Sequence, residues 1–105
     1  SRILRTFDLL RAYICHPYSA DPVGNAEKVL EICKRASEQC LPIAPQIYLP
    51  QFVDESAQRA RAMRMCLELL AVSDEVWVYG DEASPGMAVE IEAAKKLNKL
   101  VRRMS

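Results

Sequence analysis

Glu75-Val76-Trp77-Val78-Tyr79, followed after a short loop by Ser84-Pro85-Gly86-Met87-Ala88-Val89-Glu90-Ile91, is the stretch that decides the fold. Its first five residues are the most strand-like of the chain, dominated by β-branched and aromatic side chains and bounded by turn formers. Ser84 is a good N-cap, and Pro85 suits the first helical position. Beyond them Met87, Glu90, Ile91, Ala94 and Leu97 recur at the three-to-four spacing of a buried stripe, which predicts a helix over residues 85–97. A strand that feeds a helix in this way is the repeating unit of a parallel α/β sheet. Glu90 is out of place in that stripe, because a carboxylate removed from water is costly without a partner or a task. Glu92 falls instead on the face with Lys95, Lys96 and Lys99, where solvent is expected.

Working outward, residues 9–15 read as a short strand and residues 16–24 as a loop carrying Pro17, Pro22 and Gly24. A helix follows to about residue 40, capped by Asp21 with Pro22 at its first position or, later, by Asn25. Its apolar stripe is Ala26, Val29, Leu30, Cys33, Ala36 and Cys40. Residues 41–49 suggest a strand around Pro42 and Pro45, residues 54–72 a second helix of good helix formers, and residues 100–104 a last strand. Asn98 suits a left-handed position after the third helix. The order is strand, helix, strand, helix, strand, helix, strand. It implies a three-layer α/β architecture, a parallel sheet of about four strands with helices on both faces. Residues 1–8 carry no pattern and read as an extension of a single domain spanning 1–105.

Fourteen Lys and Arg balance fourteen Asp and Glu in 105 residues. A chain without net positive charge is poorly suited to nucleic-acid polymer, and a net charge near zero offers little resistance to self-association. No apolar run reaches the length of a membrane span, and the first residues lack the features of a signal peptide. These readings lead to the expectation of a cytoplasmic protein. Cys15, Cys33, Cys40 and Cys66 form no C-x-x-C pair and accompany a single histidine, His16, so no metal site is expected. Cys33 and Cys40, two turns apart on one continuous helix, would be too distant for a disulfide, and all four are expected as reduced thiols.

In a parallel sheet ligands sit beyond the carboxyl ends of the strands. Three segments should converge there: residues 15–25, with His16, Pro17, Tyr18, Ser19 and Asn25; the loop after the second strand, with Tyr48 and Phe52; and residues 80–86, backed by Met87 and Glu90. Ser84-Pro85-Gly86 either caps a helix or offers free backbone amides to an anion, with Gly86 allowing close approach. Asp74 and Asp81 bracket the third strand, either as a turn residue and a loop acid or as a second carboxylate near Glu90 for paired acid and nucleophile chemistry. Arg59, Arg61 and Arg64 read as a solvated face. No Walker motif and no G-x-G-x-x-G occurs, which argues against a nucleoside-triphosphatase or a dinucleotide site.

Tyr13-Ile14-Cys15-His16-Pro17-Tyr18-Ser19, with Asp21-Pro22 and Asn25, resembles the opening of the nucleoside 2-deoxyribosyltransferase-like proteins. Ser73 to Gly80, followed by Ser84-Pro85-Gly86-Met87 and Glu90, resembles their second signature. The likeness is to a compact bacterial and phage branch, and it extends over residues 10–101. It implies a flavodoxin-like fold and cleavage or transfer of the N-glycosidic bond of a nucleoside or its 5′-monophosphate, without a cofactor. By that resemblance Glu90 is the nucleophile and Asp74 contributes to the site. Asp81, or Glu82, handles the base, and Tyr18 orients the nucleophile. Ser84 and the Gly86 amide meet a 5′-phosphate. His16, Pro17, Ser19, Asn25, Tyr48, Gly80 and Met87 complete the expected substrate site. The sequence departs from the family at His16, where small residues are usual, and in lacking a C-terminal segment that completes the site in longer enzymes. A nucleotide-binding module without turnover and an oligomeric structural protein therefore stand beside the enzyme. The resemblance also implies a homodimer or larger assembly.

Overall fold

Strand β3 (Glu75–Val78) pairs in parallel with β1 (Arg11–Cys15) on one side and with β4 (Leu100–Arg103) on the other, and β2 (Leu41–Ile43) pairs with the far edge of β1. The resulting four-stranded, all-parallel sheet has the order β2-β1-β3-β4. The structure is a computed structural model that describes residues 9–104; the stretch 1–8, read as an extension, lies outside the described residues. Helices α1 (Pro22–Ala36), α2 (Pro45–Tyr48), α3 (Arg59–Ala71) and α4 (Pro85–Lys96) fill the crossovers.

Alternation along β1 sorts the core into two layers. Ala12 and Ile14 join Trp77, Val29, Ile32 and Ala36 on the α1 face. Tyr13 and Cys15 join Val76, Val78, Leu70, Met87 and Ala94 on the face covered by α3 and α4. With both faces covered, the architecture is the three-layer α/β sandwich expected from the element order. The chain departs from β1 toward β2 on one side and from β3 toward β4 on the other. The switch point, where a crevice opens, therefore lies between the carboxyl ends of β1 and β3.

Several boundaries differ from the sequence expectation. Helix α1 is capped by Asp21, whose side chain accepts from the Gly24 N–H at 3.2 Å; a Cβ on Gly24 would collide with that carboxylate. The helix ends at Ala36, so Cys40 lies beyond it and the premise of one continuous helix fails, although all four cysteines are free. The buried stripe of α1 is Asn25, Val29, Ile32 and Ala36, while Leu30 is 44% exposed. The apolar content of Leu30 and Cys33 had set the stripe off by roughly one residue, which on a helix turns it through about 100°. The expected strand over 41–49 stops at Ile43, because Pro45 opens the short helix α2 and Pro50 sits in a 3-10 turn over Leu49–Gln51. Helix α3 begins at Arg59 rather than Asp54. There Asp54 Oδ1 accepts from Ser56 N, Ser56 Oγ and Ala57 N, a side-chain turn that competes with the helix. Those bonds also hold the Asp54 carboxyl below its ordinary range. Helix α4 ends one residue early, and Leu97 is 50% exposed. Asn98 takes the expected left-handed conformation at φ 57°.

Candidate active site

A cleft of about 340 Å³ opens at the switch point. One wall is the loop after β1, with His16, Pro17, Tyr18 and Ser19. A second is the α2 region, with Pro45, Gln46 and Leu49. The third comes from α3 and from the start of α4, Ser84 to Met87 with Glu90. The lining is largely apolar, and the volume falls within the ~300–1,000 Å³ usual for small-molecule sites.

Glu90 is 8% exposed. It comes from the face of α4 laid against the sheet, where the two strand residues of like parity, Tyr13 and Cys15, point at it. The Tyr13 hydroxyl donates to Glu90 Oε2 at 2.6 Å, and the Cys15 thiol donates to Oε1 at 3.4 Å. Burial raises the Glu90 carboxyl above its ordinary value, and the two hydrogen bonds oppose that rise without cancelling it. The same burial, reinforced by the Glu90 charge, pushes the Tyr13 phenol and the Cys15 thiol well up. Both therefore remain protonated donors. Cys66 of α3 lines the cleft beside Tyr13, and burial pushes its thiol up to about 11.

A raised carboxyl couples to stability. The folded chain keeps this proton to a higher pH than the unfolded chain does. The contribution is full below the unfolded value, about 4.3. It is lost as pH rises toward the folded value, by roughly 1.4 kcal/mol for each pH unit between the two. Glu90→Gln removes that slope. The expected result is melting temperatures that nearly coincide at about pH 4 and diverge toward pH 8, with the variant higher, read by differential scanning fluorimetry. Parallel curves would show that Glu90 titrates like an exposed carboxylate.

The other expected site residues divide. His16, Pro17, Tyr18, Ser19, Ser84, Gly86 and Met87 lie on the cleft wall with Glu90. Ser84 Oγ accepts from the Met87 N–H at 3.3 Å, so it caps α4. Gly80 has φ 95° and lets the backbone pass Pro17, where an added Cβ would stand 3.3 Å from Pro17 Cγ. Its role is to bring two loops together. Asn25 is buried on α1 and donates to the Tyr18 carbonyl at 3.2 Å, which fixes the first loop from behind. Tyr48 is 44% exposed and packs its ring 5.6 Å from Phe52, away from the cleft.

Three role assignments need correction. Asp74 precedes β3 and accepts from the Arg11 N–H at 2.8 Å. It stands at the amino end of the strand, whereas the cleft lies past the carboxyl end. Asp81 and Glu82 are exposed in the loop after β3 and form no part of the cleft wall. The tyrosine that holds Glu90 is Tyr13, inside the strand, and not Tyr18 in the loop.

Sequence reasoning gave no role to Tyr13 or Cys15, although both lie in the first motif, and did not single out Gln46 or Glu55. Strand parity would have paired Tyr13 with Cys15 on one face; nothing local marked Gln46. Its Nε2 donates to the Ile14 carbonyl at 3.0 Å, which leaves Oε1 buried and without a partner. At the cleft rim one Glu55 oxygen accepts from Ser19 Oγ and from Arg59 Nη1, each at 3.0 Å, tying the first loop to the start of α3. Among the described residues no group of three His, Cys, Asp or Glu side chains could hold a metal ion, and no helix is long and apolar enough to cross a membrane.

Fold and site together define a switch-point α/β domain with one sequestered carboxylate on the wall of a small apolar cleft. The chain belongs to the family described as Domain of unknown function (DUF7768), whose profile matches residues 11–104. No curated protein matches it.

Proposed function

We propose that this chain cleaves the N-glycosidic bond of a nucleoside or nucleoside 5′-monophosphate, with Glu90 as nucleophile, as in the nucleoside 2-deoxyribosyltransferase-like proteins its motifs resemble. The observation that carries the reading is the buried Glu90 carboxylate, held between a phenol and a thiol on the wall of a cleft. No cation partners Glu90 among the described ion pairs, and its two hydrogen-bond donors are neutral. A carboxylate buried without a cation costs stability, and groups kept at such a cost cluster at functional sites.

Ionised Glu90 attacks C1′ of the sugar. The C1′–N bond breaks with its electron pair passing to the base nitrogen, which takes up a proton, and a glycosyl ester remains on Glu90. Water then attacks C1′, releases the sugar and restores the carboxylate. With Asp81 away from the wall, His16 is the group we assign to carry protons. Its Nδ1 lies 2.8 Å from the Pro17 carbonyl, which can only accept, so Nδ1 bears hydrogen and Nε2 is left to exchange. As imidazolium it protonates the departing base, and as imidazole it takes the proton of the attacking water. The unpartnered Gln46 Oε1 suits a donor on the ligand, and the Gly86 N–H at the start of α4, where Pro85 has no N–H and the Met87 N–H is bonded to Ser84, suits a 5′-phosphate.

The test is incubation with a mixture of deoxynucleosides and their monophosphates, scored for free base by chromatography. Release that requires Glu90 supports the reading. A specific observation favours one alternative: neither Asp74 nor Asp81 reaches the cleft, and Glu55 is already engaged by Ser19 and Arg59, so among the described residues no second free carboxylate faces Glu90. A nucleotide-binding module without turnover fits that arrangement. It would show a ligand-dependent rise in melting temperature with no base released.

Gln46→Met tests the ligand contact separately. The expected result is about tenfold weaker binding, from loss of one buried hydrogen bond. Stability should fall by about 1 kcal/mol, because the Ile14 carbonyl loses its donor. Unchanged affinity in calorimetry would remove Gln46 from the site.

A further inference from the structure

The two oxygens of Glu90 are held unequally. Oε2 receives a short O–H bond from Tyr13 at 2.6 Å, and Oε1 receives a thiol at 3.4 Å. A hydroxyl bonded to a carboxylate at that distance is a strong, charge-assisted donor, whereas S–H is a weak one. The lone pairs of Oε1 are therefore the more available for attack, and the thiol is the partner that yields at least cost. We propose that Cys15 is a positioning residue for the Glu90 nucleophile: its weak thiol donor aims Oε1 in the resting site and gives way as that oxygen forms the bond to C1′. This inference rests on the glycosidic reading above and specifies which atom reacts.

The surroundings make the assignment specific. Cys15 is the last residue of β1 and is fully buried, so its side chain has no route to solvent. The groups that face the pair are Tyr13 from β1, Cys66 from α3 and Arg103 from β4, with Glu55 acting on Cys66 from the cleft rim. None of these contacts Oε1 among the described hydrogen bonds, so the thiol is its sole protein donor there.

In the step itself the Oε1 lone pair forms the bond to C1′ and the C1′–N pair departs with the base. The S–H proton stays on sulfur throughout. Serine in place of Cys15 would be a stronger donor on a shorter bond from Cβ, so Oε1 is drawn toward it to close a hydrogen bond of about 2.7 Å. Alanine would supply no donor and leave Oε1 unheld.

Cys15→Ser and Cys15→Ala therefore move two readouts in opposite directions. The first readout is the titration of the Glu90 carboxyl, followed by 13C NMR in the ligand-free protein. It should shift to lower pH in Cys15→Ser and to higher pH in Cys15→Ala. The second is single-turnover base release across pH. Cys15→Ser should show a plateau about tenfold lower with its acid limb moved down. Cys15→Ala should lose about threefold in plateau rate, because Oε1 is no longer aimed, with its acid limb moved up. A thermal melt of each variant confirms folding before either readout is taken.

If both variants lose rate equally with the carboxyl titration unmoved, Cys15 is mere packing and the proposal fails. A faster plateau in Cys15→Ser would also overturn it, since a tighter hold would then assist attack. If the titration shifts as expected but wild type releases no base, the thiol does position Oε1 and the glycosidic reading is the part that fails.

Discussion

Glu90→Gln is expected to stop the base release proposed for this chain. The substitution keeps the shape of the side chain and leaves an acceptor for the Tyr13 hydroxyl, but an amide oxygen cannot form a stable glycosyl ester. Loss of a nucleophile costs factors of roughly 10³ to 10⁶ in turnover, far more than the loss of any binding contact. The fold should survive, because the buried charge that burial disfavours is gone. Glu90→Ala should be equally inactive, with a small cavity beside Tyr13 and Cys15. The measurement is free base by chromatography alongside a thermal melt. Equal release by wild type and either variant would refute glycosidic chemistry at this residue. An unfolded Glu90→Gln would show instead that the carboxylate is structural.

Tyr13→Phe is the second large effect. The Tyr13 hydroxyl makes the shortest hydrogen bond to Glu90 and is the larger of the two influences that hold the carboxyl down against burial. Removing it lets burial act with less opposition, so the carboxyl rises further. The acid limb of the rate profile should move to higher pH, and turnover near neutrality should fall about 10- to 100-fold. That range corresponds to the ~1.5–3 kcal/mol of a hydrogen bond to a charged group. Substrate affinity should change little, since the phenol is buried behind the carboxylate. Tyr18→Phe is the useful contrast. Only its backbone carbonyl takes part in hydrogen bonds among the described contacts, so its effect should stay within a few-fold. A larger loss in Tyr18→Phe than in Tyr13→Phe would restore the loop tyrosine to the role that the family resemblance suggested.

These two tyrosines show where sequence reading succeeded and where it stopped. Both lie within seven residues of one another in the same motif, and linear order favoured the one in the loop, where ligands are usually met. The strand tyrosine reaches the site only because α4 is laid on the face that Tyr13 shares with Cys15. Asp74 erred for a related reason. It is close to the site along the chain but separated from it by the length of β3. Gln46 was hidden because the second strand ended early, and Pro45 turned the following residues into the short helix that presents it.

The amino-acid sequence by itself determined the alternation of strands and helices, and with it the parallel sheet, the crevice beyond the strand ends and the anomaly of Glu90. Those follow from local periodicity, capping residues and the cost of placing a carboxylate on an apolar stripe. Only the tertiary structure decided which side chains surround that carboxylate, because its partners come from another element 75 and 77 residues away. Side-chain direction on a strand is a matter of parity, and which parity meets which helix is set by packing across the sheet rather than by any neighbour in the chain.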